Sequence, residues 1–119
     1  MAGNVELLER TRPPAKDNDE YRAFSFGRIG IRPQLTLLFT KASGEVEGFP
    51  YADFRGIWTR DRNAGFTMTF GNRIITVEGQ NLKQLFEYIC NHRAAEVVLC
   101  DPHSAMALEE NATVVWAIT

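Results

Sequence analysis

Phe66-Thr67-Met68-Thr69-Phe70 alternates large apolar side chains with threonine, and Gly71-Asn72 follows at once. A period of two puts the apolar residues on one face and the threonines on the other, which is the signature of a half-buried strand. Gly71-Asn72 has the chemistry of a two-residue hairpin loop, and Ile74 to Glu78 reads as the returning strand. The chain must therefore contain an antiparallel sheet with one apolar face, and other segments must cover that face.

The rest of the sequence supplies partners. Phe24-Ser25-Phe26 fits a short strand, with a second extended piece at Ile29-Gly30-Ile31. Leu35 to Thr40 fits a strand with Leu35, Leu37 and Phe39 on one face. Ser43-Gly44 is a turn before Glu45 to Phe49, and Pro50, which has no amide proton, breaks that ladder. Phe54 to Thr59 resumes, with Phe54 and Trp58 on one face and Ile57 on the other. Gly79 ends the sheet. A helix is expected from Asn81 to about His92, with Asn81 as N-cap and Gln84 completing a capping box. Leu82, Leu85, Phe86 and Ile89 form its apolar stripe, and Lys83, Gln84, Glu87 and Asn91 lie opposite. His92 and Arg93 suit the negative end of the helix dipole. Beyond it, Glu96 to Cys100 and Thr113 to Ile118 read as strands, and Ser104 to Glu110 as a helical turn.

These elements fit one α+β domain over residues 21–119, an antiparallel β-sheet or partly open β-roll or barrel with an amphipathic helix packed on it. Residues 1–20, with Pro13-Pro14 and a polar run to Glu20, read as a flexible arm. A chain of 119 residues builds a core without a metal or disulfide. The formal net charge of −2 argues against bulk capture of nucleic acid. Apolar runs such as Leu37-Leu38-Phe39 are too short to span a bilayer. Two cysteines, Cys90 and Cys100, are too few for a disulfide framework, so a reducing, cytoplasmic setting is expected.

The stretch Phe49-Pro50-Tyr51-Ala52-Asp53-Phe54-Arg55-Gly56-Ile57, followed by hairpins and a helix, resembles the pleckstrin-homology-like β-roll of small bacterial domains. The resemblance covers residues 35–93. It departs from that fold in having about six strands before the helix, where the fold has seven, and a strand pair after it. An Sm-like barrel is the alternative, although its helix normally precedes the strands.

Little in the sequence carries chemistry. Cys90, His92, Cys100 and His103 have zinc-like spacing. But residues two apart on a helix point about 200° apart, so no metal site is expected, and Cys90 is placed beside the buried stripe. Gly27-Arg28-Ile29-Gly30 resembles an RNA-clamping GxxG loop, but its flanks are β-like and it reads as a turn. No carboxylate pair, nucleophile elbow or phosphate loop is present, and no cofactor is expected. One surface stands out: Arg55, Arg60, Arg62 and Arg73 with Trp58 and Phe66 near one hairpin end, the composition of a binding surface.

The function expected is a non-enzymatic interaction or scaffold module that self-associates. The alternative is a small-ligand or nucleic-acid binder using the arginine and aromatic surface. A pocket lined by Arg55, Arg73 or Trp58 would favour the alternative. Val114, Trp116 and Ile118 alternate with Val115 and Ala117, so the last strand is apolar on both faces and calls for cover on both. A homodimer supplies that cover; otherwise the strand completes the monomer's own sheet.

Overall fold

The computed structural model describes residues 21–27, 33–101 and 108–119. Their elements run β1 (Phe24–Phe26), β2 (Thr36–Thr40), β3 (Val46–Pro50), a 3-10 turn (Tyr51–Asp53), β4 (Phe54–Trp58), β5 (Gly65–Phe70), β6 (Arg73–Gln80), α1 (Lys83–Cys90), β7 (Ala94–Val98) and β8 (Val114–Ile118). They form two four-stranded sheets, in the orders β1-β7-β2-β3 and β4-β5-β6-β8. Pairing is antiparallel except between β2 and β7, which run parallel. The architecture is α+β, but the sheet is not wholly antiparallel. The chain leaves β2, builds most of the second sheet and the helix, and returns to β2 by that crossover instead of by a hairpin.

The predicted hairpin is the centre of the second sheet. Phe70 pairs with Arg73 across Gly71-Asn72, and Gly71 takes φ 61°, the backbone geometry for which glycine is suited. Phe66, Met68 and Phe70 are buried, together with Ile75 and Val77 of β6. Leu37 and Phe39 of β2 and Ala94 and Val97 of β7 supply the facing layer. The corner between the sheets lies at Tyr51–Asp53. There the Tyr51 hydroxyl donates to the Ala94 carbonyl at 2.7 Å, and the Gly71 amide donates to the Asp53 carbonyl at 2.7 Å.

The helix bridges the sheets. Leu82, Leu85 and Ile89 are fully buried. Phe86, only half-buried, meets Phe66 of β5 edge-on at 5.7 Å, and Tyr88 stacks on Phe26 of β1 at 4.3 Å.

Several sequence expectations are corrected. The helix starts at Lys83, and Asn81 is not its cap. Asn81 takes φ 55° and donates its side-chain amide to the carbonyls of Glu110 and Ala112 at 3.1 and 2.9 Å. The cap comes from Asn63 in the β4–β5 loop, whose Oδ1 accepts the Lys83 amide proton at 3.2 Å. His92 lies past the helix end with φ 59° and stacks on Tyr51 at 4.5 Å. Cys90 is exposed, while Cys100 is buried. Leu35 precedes β2 and is 86% exposed, so it does not share the face of Leu37 and Phe39. In β4 a register shift between Phe54 and Gly56 turns both Phe54 and Ile57 toward the core and leaves Trp58 out. Gly79 does not end the sheet. It lies within β6, where a Cβ would collide with the Val114 carbonyl oxygen of β8.

The strands after the helix find places in both sheets. Ala94–Val98, slightly earlier than expected, sits inside the first sheet, and Val114–Ile118 pairs with β6. Val114 and Val115 are thereby buried within the monomer. The expected arm at residues 1–20, the Ile29–Ile31 piece and most of the Ser104–Glu110 turn lie outside the described residues.

Candidate functional site

The outer face of the second sheet follows from the period of two. Burial of Phe66, Met68, Ile75 and Val77 sends Thr67, Thr69, Ile74 and Thr76 outward. Trp58 pairs with Thr67, and Thr67 with Thr76, so one row runs from β4 across to β6. The two threonine hydroxyls are 3.1 Å apart and bond to each other. On β8, Val115 faces the core, and Trp116, at the register shift opposite Glu78 and Gly79, is exposed. Trp58, Ile74 and Trp116 are 64, 67 and 52% exposed. The sheet thus carries a tryptophan on each of its two outer strands, with hydroxyls between them.

Beside Trp58 lies a groove of about 290 Å³, lined among others by Arg60, Asp61, Thr67, Thr76 and Glu78. Its wall is held by local hydrogen bonds. Thr59 donates to the Gly65 carbonyl at 2.6 Å, and Asp61 accepts the Asn63 amide proton at 3.0 Å.

The structure divides the five predicted surface residues. Trp58 and Arg60 meet in the groove. Arg55 is exposed on β4 outside it. Arg62 turns toward the helix and approaches Glu87 at 3.9 Å. Arg73 begins β6, at the far end of the hairpin from Arg60 and Arg62. Its guanidinium bonds both oxygens of Glu47 at 2.9 and 3.4 Å and lies 5.1 Å from the centre of the Phe49 ring. The hydrogen bond from Arg73 holds the Glu47 carboxyl below its ordinary range. Phe66, grouped with the arginines in sequence, is buried.

A second opening lies between the sheets, a cleft of about 170 Å³. Phe39 and Phe49 line it from the first sheet, and Ile75 and Ile118 from the second, with Lys41, Glu47 and Arg73 at its rim. Sequence reasoning missed this cleft, and it missed that Trp116 stays exposed on the sheet that carries Trp58. The only local signal for the latter was the doubly apolar pattern of β8.

The remaining reactive groups are quiet. Partial desolvation, even at the largely exposed Cys90, followed by the neighbouring carboxylates of Glu87 and Asp101, pushes the Cys90 and Cys100 thiols above their ordinary range, so they stay protonated at neutral pH. Among the described residues no group of three or more His, Cys, Asp or Glu side chains is placed to hold a metal ion. His103, the fourth residue of the zinc-like spacing, lies outside them. Among the described residues no helix is long and apolar enough to cross a membrane. No family model, no curated protein and no solved structure matches this chain.

Proposed function

We propose that this chain is a non-enzymatic interaction module that self-associates through the outer face of its second sheet. The observation that carries this reading is the pair of exposed tryptophans, Trp58 and Trp116, on opposite outer strands of that sheet. Tryptophan and arginine are the residues that most often anchor protein interfaces. The charges on the face favour a second copy as the partner. Arg60 follows β4 at one edge, and Glu78 lies at the same strand end nearer the other edge. A two-fold axis parallel to the strands lays the β4 edge of one protomer over the β8 edge of its partner. The β4 edge, with Trp58 and Arg60, then lies over the half of the sheet that carries Glu78 and Trp116, as an isologous contact requires.

The small-ligand alternative has support in the lining of the groove by Trp58 and Arg60 and of the cleft by Arg73. The cleft, at about 170 Å³, falls short of the roughly 300–1,000 Å³ of sites that enclose drug-sized ligands, and the groove, at about 290 Å³, lies only at the lower end of that range. The broad face is therefore the stronger candidate. A PH-like roll belongs to the same reading, supported by two sheets around one core, the corner at Tyr51–Asp53 and a helix that follows the strands of the second hairpin. So does a cytoplasmic setting, where the unpaired thiols of Cys90 and Cys100 stay reduced.

Sedimentation velocity on the full chain tests the proposal. A dimer at micromolar concentration is expected, shifted to monomer by Trp58→Ser with Trp116→Ser while the circular dichroism is unchanged. A wild-type monomer up to a concentration of roughly a millimolar, or a dimer indifferent to both substitutions, overturns it.

A further inference from the structure

We infer that the inter-sheet cleft is a binding site for short-chain aliphatic carboxylates, with Arg73 as the carboxylate anchor. The site has the two parts such a ligand needs. Its floor is apolar, built by Phe39, Phe49, Ile75 and Ile118 from four strands in two sheets. Its rim carries two cations, Lys41 and Arg73, together with Glu47 and Thr119. Apolar walls with a small number of placed polar groups are the common composition of small-molecule sites.

The Arg73 fork already shows the contact that a ligand head would make. Glu47 presents both carboxylate oxygens to it at 2.9 and 3.4 Å, the two-pronged geometry that guanidinium and carboxylate share. The Phe49 ring beneath the guanidinium helps to hold it in place at the mouth. Glu47 and Arg73 are about half exposed, and ion pairs of that kind contribute little stability. An incoming carboxylate therefore exchanges for Glu47 at small cost, and its tail gains burial that the Glu47 side chain does not provide. Lys41 stands near a carboxylate of its own, Glu45 at 3.7 Å, in a still more exposed pair.

Size sets the chain length. The cleft, at about 170 Å³, is small against the roughly 300–1,000 Å³ of drug-sized sites, so it suits a tail of a few carbons. Hexanoate fits, with its tail between the sheets and its head at the rim. Long-chain fatty acids do not. The site lies apart from the tryptophan face, so it stands or falls independently of self-association.

The test is titration of the full-length protein with hexanoate, followed by NMR chemical shifts of the Ile75 and Ile118 methyl groups and by calorimetry. Binding with a dissociation constant on the order of a millimolar is expected. Glu47→Gln removes the internal competitor and should tighten binding several-fold. Arg73→Gln should weaken it at least tenfold. Hexanol and inorganic phosphate, which carry only the tail or only the charge, should each bind at least tenfold more weakly. Both substituted positions are exposed, and amide dispersion of each variant confirms the fold. Absence of methyl shifts in wild type and in Glu47→Gln overturns the inference. So does hexanoate binding unchanged by Arg73→Gln, or hexanol binding as well as hexanoate.

Discussion

The Tyr21 hydroxyl accepts the Val115 amide proton at 2.9 Å and donates its own proton to the Val98 carbonyl at 2.7 Å. One side chain thus ties β8 of the second sheet to β7 of the first, from a position 94 residues before Val115. Replacing Tyr21 by phenylalanine keeps the ring and strands the Val115 amide. A loss of about 1–3 kcal/mol is expected from such an unsatisfied buried group. Urea denaturation of Tyr21→Phe against wild type measures it, and an unchanged midpoint means that water replaces the hydroxyl.

Alkaline pH should act through the same kind of contact. Burial is the largest cause raising both Tyr21 and Tyr51 above the ordinary phenol value of 10.0. The unfolded chain releases these protons first as pH rises past 10.0. Stability is therefore fully present below that value and falls above it, by at most about 1.4 kcal/mol per pH unit for each tyrosine. Denaturant midpoints measured between pH 8 and pH 11 give the slope, which should flatten in Tyr21→Phe.

Two glycines in the second sheet should respond differently to alanine. A Cβ at Gly79 collides with the Val114 carbonyl, whereas one at Gly56 meets nothing within 4 Å. Gly79→Ala forces β8 away from β6 and should cost about 1–3 kcal/mol. Gly56→Ala should stay within about 0.5 kcal/mol of wild type. Parallel thermal melts compare them, and equal losses would refute the close approach of β8.

In the helix, Leu85 rather than Phe86 should be the more sensitive position. Leu85 is fully buried, while Phe86 is half-buried against Phe66. Leu85→Ala should cost about 2–5 kcal/mol, and Phe86→Ala less than the roughly 3–5 kcal/mol of a fully buried phenylalanine. Chemical denaturation ranks the two.

The helix cap gives a test at a distance. Asn63→Ala removes the acceptor for the Lys83 amide and should cost about 0.5–2 kcal/mol. Hydrogen exchange at Lys83 should accelerate, and it should stay unchanged if Asn81 were the cap.

Local pattern alone determined the β5–β6 hairpin, its Gly71-Asn72 loop and the buried helix stripe of Leu82, Leu85 and Ile89. Each of these rests on a period of two or of 3.6 that neighbouring residues carry among themselves. Of the predicted surface, Trp58 and Arg60, two positions apart, line one groove. Sequence pattern could not place Arg73 against Glu47, 26 positions away, or bring Trp116 into the sheet of Trp58. Nor could it move the helix cap from Asn81 to Asn63, or show that Gly79 makes room for β8. Those outcomes depend on which strands pair after the chain closes long loops. That choice is made by burying the facing layers together, and no short window of sequence contains both partners.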